Sequence, residues 1–305
     1  MKGSFSPTAR RYSGCGKAVN APTGTPDPGA VNIRQHRPAA LPIYKYLSLM
    51  LAALWLHAGF ASAEKPTLIL GGPPWPPYLD EDQIHRGLAT EIVESAFNKA
   101  GYPVQIKILP WPRLLRAAEF KEVDVMIGLW WTLEREEAFV FSSPYYVNVI
   151  GFAAPTESTF KPSRLSDLTN ARIGVRQGAR FWSPFDFSTS LNKITVNTTE
   201  SALNMTAVGR LDLTVEDVRI LHSLINHDDR LSEHLKILPL PLVYRPLHMG
   251  VRRNLDNAET IVADFNAALA ELLQSGWVAT IYRRYGIAES PLDILTRTPP
   301  SMADE

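Results

Sequence analysis

The sequence has little cysteine and no long apolar run. Cys15 is the only cysteine among 305 residues, so the later part of the chain needs no disulfide and has no thiol chemistry. The apolar run Leu47 to Phe60 is shorter than the roughly 20 residues that span a bilayer. The seven histidines show no His-Glu-x-x-His spacing and no paired cysteines accompany them, so the sequence indicates neither a metal site nor a cofactor.

The formal net charge is zero, but the charge is unevenly distributed. Residues 1–63 hold seven Lys and Arg against one Asp, whereas residues 64–305 hold twenty-four against thirty Asp and Glu. An acidic main part of the chain argues against nucleic acid binding. The chain also lacks a nucleophile elbow and a phosphate-binding P-loop.

The basic first part ends in a pattern that is typical of a signal peptide. Lys45 precedes the apolar run, and Ala61-Ser62-Ala63 follows it as a small-x-small cleavage sequence. We therefore expect a leader over residues 1–63, a signal peptide over residues 43–63, cleavage after Ala63 and a periplasmic location.

The rest of the chain alternates short apolar runs with helical periodicity. Apolar runs begin at Thr67, Val104 and Val123, and helical patterns lie between them, which predicts a parallel sheet with helices on both faces. A second α/β pattern begins after Ala154. Ligands bind beyond the carboxyl ends of strands in such sheets, so residues that follow the strands are the candidates for a site.

The predicted fold class is α/β, with a two-lobed arrangement like that of type II periplasmic binding proteins and two hinge strands. Lobe 1 is expected to comprise residues 64–153 and 246–288, and lobe 2 residues 154–245. Residues 289–305 lack apolar periodicity and are expected to form a mobile tail.

Several short motifs occur in an order and spacing that resemble the family-3 bacterial extracellular solute-binding proteins. The resemblance extends from about Pro66 to Ile287. It rests on Trp75-Pro76-Pro77-Tyr78, Gly87 to Ile92, Trp111, Val123-Asp124, Thr132 to Arg135, Phe141 to Tyr145, Gly174 to Gly178, Gly209 to Asp212 with Asp217, and Gly276-Trp277 to Tyr285-Gly286.

The resemblance implies two lobes that close on a small ligand. Arg135 would hold the ligand carboxylate through its planar guanidinium, and Asp217 would receive the ligand ammonium group. Trp75 and Trp111 match positions that are often aromatic in the family, where they would stack on the ligand. The alternatives are a surface ion pair of Arg135 with a neighbouring glutamate and a helix-capping role for Asp217.

Five further residues complete the candidate ligand site. Tyr78 is a third aromatic candidate, with core packing as its alternative, and Thr132 is expected to cap a helix. Trp130 would reshape the pocket. Backbone N–H groups around Gly178, at an expected helix start, could receive an anion, and Arg180 could supply another donor.

These observations predict a periplasmic protein, not an enzyme, that binds a small polar ligand, an amino acid or related carboxylate. An inner-membrane ABC permease is the expected partner. The alternatives are a cyclohexadienyl-type dehydratase, with Glu91 and Glu134 as candidate acids or bases, and an orphan ligand sensor.

Overall fold

The computed structural model describes residues 65–297. The predicted leader over residues 1–63, the signal peptide over residues 43–63 and the cleavage site after Ala63 lie outside the described residues. Within residues 65–297, no helix is both long enough and apolar enough to cross a membrane.

The described residues form one ten-stranded mixed sheet with helices packed around it. The strands are β1 (Leu68–Gly72), β2 (Val104–Ile108), β3 (Val125–Trp130), β4 (Phe139–Phe141), β5 (Tyr146–Pro155), β6 (Arg172–Arg176), β7 (Asn192–Val196), β8 (Leu213–Asp217), β9 (Leu235–Ile237) and β10 (Val243–Arg252). The helices are α1 (Leu88–Lys99), α2 (Trp111–Glu119), α3 (Leu133–Ala138), α4 (Ser183–Phe187), α5 (Thr199–Ala207), α6 (Val218–Asn226), α7 (Asp229–His234), α8 (Ala258–Gln274), α9 (Trp277–Arg284) and α10 (Pro291–Leu295).

The sheet has two parallel halves joined by two antiparallel strands. The strand order is β2-β1-β3-β10-β5-β8-β6-β7, with β4 beside β10 and β9 beside β5. Strands β1, β2 and β3 are parallel to one another, as are β6, β7 and β8. Between these halves, the ten-residue strands β5 and β10 pair antiparallel. These are the two hinge strands that the sequence predicts, and the α/β fold class is confirmed.

Each half of the sheet has its own apolar core. Helix α1 buries Ile92, Val93, Ala96 and Phe97 against the first half, because residues one turn apart share a helix face. A second cluster is centred on β6, β8 and α4. Trp130, at the end of β3, packs against both clusters, so it lies where the two halves meet.

In each half of the sheet, one aspartate forms hydrogen bonds and an ion pair with residues of neighbouring strands. Asp124 accepts a hydrogen bond from the backbone N of Ile69 at 2.9 Å and pairs with Arg252 at 3.0 Å. Asp212 does the same with the backbone N of Arg172 at 2.7 Å and with its guanidinium at 2.7 Å. Both aspartates are therefore structural.

Three details differ from the sequence-based expectations. The helical pattern from residue 258 to 285 is broken into α8 and α9, because Gly276 has a left-handed backbone with φ of 76°. The sequence predicts the last strand at residues 248–251, whereas strand β10 already begins at Val243. The predicted mobile tail is wrong for its first part, since Ser290 caps α10 and Ile294 is buried in the first core. The lobe boundaries at residues 153, 245 and 288 stay predictions.

Candidate ligand-binding site

A cluster of aromatic rings lies beyond the carboxyl ends of β1 and β3. Trp75 is 4.6 Å from Tyr78 between ring centroids, and 5.6 Å from Trp130 in an edge-to-face arrangement. The loop that carries Trp75 is closed by two backbone hydrogen bonds, from the N of Leu79 to the carbonyl oxygen of Trp75 at 2.9 Å and from the N of Trp75 to the carbonyl oxygen of Leu79 at 2.8 Å. Glycine is required nearby: a Cβ on Gly87, whose φ is 96°, would lie 2.4 Å from the Tyr78 carbonyl oxygen.

Arg135 lies beside this cluster, in the first turn of α3. Thr132 caps the helix as predicted, since its Oγ1 accepts from the backbone N of Arg135 at 3.2 Å. The Arg135 guanidinium donates to the carbonyl oxygen of Trp130 at 2.9 Å and lies over the Trp111 ring, 5.1 Å from its centroid. Burial lowers the pKa of Arg135, and the charge of Glu134 partly opposes this shift.

The alternative of a surface ion pair for Arg135 finds no support in the described part of the chain. None of the salt bridges within residues 65–297 involves Arg135. Glu134, Glu136 and Glu137 are exposed. The guanidinium therefore remains available for an anion.

Asp217 is fully enclosed at the start of α6. Its Oδ1 accepts from the Tyr78 hydroxyl at 2.8 Å and from the backbone N of Arg219 and Ile220 at 2.9 and 3.2 Å. Its Oδ2 accepts from Asn148 Nδ2 at 3.0 Å. Burial raises the pKa of Asp217 to about 6, even though these hydrogen bonds lower it. The capping role is confirmed, whereas contact with a ligand ammonium group stays a prediction.

Tyr78 is part of this enclosed arrangement. The side chain is fully buried, and burial together with the nearby Asp217 charge raises the pKa of Tyr78 well above its usual range. Its ring packs in the first core and its hydroxyl reaches Asp217. Tyr78 therefore has the core role that the sequence left as its alternative.

Sequence reasoning missed two residues on the hinge strands. Asn148 of β5 accepts from Trp130 Nε1 at 2.9 Å and donates to Asp217, so it links the two halves of the sheet. Arg245 lies opposite Asn148 in β10 and places its guanidinium 5.3 Å from the Trp130 ring centroid. A fully buried Asn inside the apolar sequence Val147-Asn148-Val149 is the signal that could have identified it.

Within residues 65–297, neither Gly178 nor Arg180 forms a hydrogen bond with the aromatic cluster or with Arg135. Gly178 is exposed in a turn with φ of 76°, and α4 begins only at Ser183. The expected helix start at Gly178 is therefore wrong. Arg180 is exposed, donates to the carbonyl oxygen of Ala179 at 3.2 Å and lies near the Phe187 ring.

A cavity of about 370 Å³ lies on the Asp217 side of the hinge strands. Of the nine predicted site residues, only Asp217 lines it. Arg297 at its rim pairs with Glu289 at 2.9 Å. Arg219 donates to the carbonyl oxygen of Tyr285, and its buried Nε has no hydrogen-bond partner within residues 65–297.

The geometry of residues 65–297 gives little support to a metal site or to Glu91 and Glu134 as catalytic acids or bases. Residues 65–297 contain no group of three His, Cys, Asp or Glu side chains placed to hold a metal ion. Glu91 is buried and forms an ion pair with Arg284, and Glu134 is exposed. Neither glutamate lies in the aromatic cluster.

Two parallel half-sheets joined by a pair of hinge strands are the architecture of type II periplasmic binding proteins. Residues 69–288 match the bacterial extracellular solute-binding proteins, family 3, and the chain belongs to that family. A comparison with curated proteins gives no match.

Solved structures of similar fold have different roles. A histidine kinase sensor domain with similarity to periplasmic binding proteins is 21% identical, with a TM-score of 0.61 over 73% of this chain and 96% of that one. The arginine-, lysine-, histidine-binding protein ArtJ from Geobacillus stearothermophilus is 21% identical, with a TM-score of 0.60 over 76% and 100%. An ancestral amino acid-binding protein, a precursor of cyclohexadienyl dehydratase, is 17% identical, with a TM-score of 0.57 over 72% and 94%. At these identities the likeness is one of fold.

Proposed function

We propose that this protein is a periplasmic receptor that captures a small polar ligand between its two lobes. Arg135 binds an anionic group of the ligand, and the rings of Trp75, Trp111 and Trp130 form the surrounding wall. The observation that carries the proposal is the Arg135 guanidinium, which is partly buried against an indole and has no carboxylate partner in the described chain. A partly buried cation of this kind is stabilised when an anion approaches it.

The proposed role is delivery of the ligand to an inner-membrane ABC permease after export and cleavage following Ala63. The family and the amino acid-binding neighbours support a receptor that is not an enzyme. The ion pair between Glu91 and Arg284 weighs against the dehydratase alternative, because it engages one of the two candidate acids. The kinase sensor domain among the structural neighbours keeps a sensor role as the second candidate.

The test is a thermal-shift screen of the purified protein, refolded to remove any ligand that co-purifies. The compounds are amino acids, opines, polyamines and small carboxylates. A ligand at 100 times its Kd stabilises the native state by about 2.7 kcal/mol. For a chain of this size that corresponds to a rise in Tm of about 5–11 °C.

The variants Arg135→Ala and Arg210→Ala are compared with the wild type. Arg210 is exposed and serves as the control. We expect the shift to disappear in Arg135→Ala and to persist in Arg210→Ala. A ligand that binds Arg135→Ala with wild-type affinity would remove Arg135 from the site and refute the proposal.

A further inference from the structure

Two guanidinium groups, not one, lie against the indole rings. Arg135 lies over Trp111, and Arg245 lies over Trp130 at 5.3 Å. Their hydrogen bonds go to carbonyl oxygens of consecutive residues: Arg135 donates to Trp130 at 2.9 Å, and Arg245 to Trp131 at 3.4 Å. Both guanidinium groups therefore contact Trp130, Arg135 at its carbonyl oxygen and Arg245 at its ring.

Neither cation is neutralised within residues 65–297. No salt bridge there involves Arg135 or Arg245, and the buried Nε of Arg245 has no hydrogen-bond partner. The pKa of Arg245 is lowered by burial and also by the charge of Arg135, with Asp186 as the opposing acid. Two like charges in a partly desolvated place are unfavourable unless an anion joins them.

The buried carboxylate of Asp217 already has hydrogen-bond partners. Both oxygens of Asp217 are occupied by the Tyr78 hydroxyl, the Asn148 amide and backbone N–H groups. Asp186 is partly exposed, and its two oxygens share the single backbone N–H of Phe181 at 3.1 and 3.0 Å. A ligand ammonium group would have to reach the almost fully buried Asp217, whereas an anion meets two guanidinium groups that form no salt bridge within residues 65–297.

We propose that the ligand is a small dicarboxylate without an ammonium group, and that Arg245 is the residue that binds its second carboxylate. Each guanidinium fork matches one carboxylate, and the carbon chain between the carboxylates contacts the Trp75 ring. This inference rests on the proposed function, because it assigns the ligand class of the same site. Arg245 adds a specificity-determining contact from the hinge strand β10.

The experiment measures binding of malonate, succinate, glutarate and adipate by calorimetry. The dicarboxylate that binds best is compared with the monocarboxylate of the same chain length and with its 2-amino derivative. The first comparison removes one carboxylate and the second adds one ammonium group. Both use wild-type protein, so they do not depend on whether a variant folds. Sulfate is included as an inorganic dianion.

We expect the dicarboxylate to bind about 30-fold or more tightly than the monocarboxylate, and more tightly than the 2-amino derivative and sulfate. Arg245→Met should lower the affinity for the dicarboxylate about 30-fold, so that this preference disappears. Arg245→Lys should recover only part of the preference, because Lys keeps the charge and loses the fork. Arg210→Met is the matched control and should bind like the wild type.

Two outcomes would overturn the inference while the proposed function stands. One is a 2-amino derivative that binds at least as tightly as the dicarboxylate, and the other is wild-type dicarboxylate affinity in Arg245→Met, each with binding still lost in Arg135→Ala. Tighter binding of sulfate than of every dicarboxylate would also overturn it. If no compound in either screen binds, the inference and the proposed function fail together.

Discussion

The hydrogen bond from Tyr78 to Asp217 should make a large, pH-dependent contribution to stability. Tyr78→Phe removes only the hydroxyl that donates to Asp217 Oδ1 at 2.8 Å, and both side chains are almost fully buried. A buried hydrogen bond to a charged group contributes about 1.5–3 kcal/mol, against about 0.5–1.5 kcal/mol for a neutral pair. For a chain of this size we expect Tm to fall by about 3–12 °C.

The pH dependence follows from the ionisation of Asp217. Its pKa in the folded protein is about 6, raised from 3.8. Between these values the folded protein binds more protons than the unfolded chain, so this group's contribution to stability decreases as pH rises from about 4 to about 6. The Tyr78 hydrogen bond lowers the folded pKa and opposes that loss. Tyr78→Phe should therefore cost more at pH 8 than at pH 4.5.

Tyr282→Phe is the matched control. Tyr282 is also fully buried, but its hydroxyl donates to a neutral acceptor, the carbonyl oxygen of Tyr145, at 2.8 Å. The assay is urea unfolding of the wild type and both variants across this pH range. Equal losses in the two variants, independent of pH, would refute the reasoning about a buried carboxylate at Asp217.

Two further predictions concern the scaffold. Arg252→Met should lower the free energy of unfolding by about 3–5 kcal/mol, because it leaves Asp124 without its partner in a largely buried ion pair; urea unfolding measures this, and a loss below 1 kcal/mol would contradict it. Gly87→Ala should cost at least about 1–3 kcal/mol, because its φ is 96° and the new Cβ would meet the Tyr78 carbonyl oxygen at 2.4 Å. Gly209→Ala is the comparison, since its φ is 71° with open space around the Cβ, and an equal loss in calorimetric Tm for the two variants would argue against the steric part.

The sequence was informative where a residue's role depends on its near neighbours. Thr132 caps α3 as predicted, and Asp217 caps α6, because capping needs only residues two or three positions away. The apolar spacing of α1 likewise predicted its buried face. The helix start expected at Gly178 was wrong. Gly178 forms a turn, and the helix begins five residues later, at Ser183.

The sequence could mark Asn148 as a polar residue in an apolar run, but it could not identify which residues pair across the hinge. Asn148 and Arg245 come from different strands, and only the register of β5 with β10 places them opposite each other. The contact from Tyr78 to Asp217 joins residues 139 positions apart. Such contacts depend on how whole strands and helices pack against one another, so the local pattern of polar and apolar residues does not predict them.

By itself, the sequence determined the α/β class, the two hinge strands and the family. Alternating apolar periods and glycine-marked turns reflect local backbone preferences and the need to bury one face of each element. Only the tertiary structure decided that Asp217 is enclosed by Tyr78 and Asn148, and that Arg135 has a second cation, Arg245, as its neighbour. The physical reason is that burial and charge pairing belong to a three-dimensional environment, whereas the sequence specifies only which groups are available to enter it.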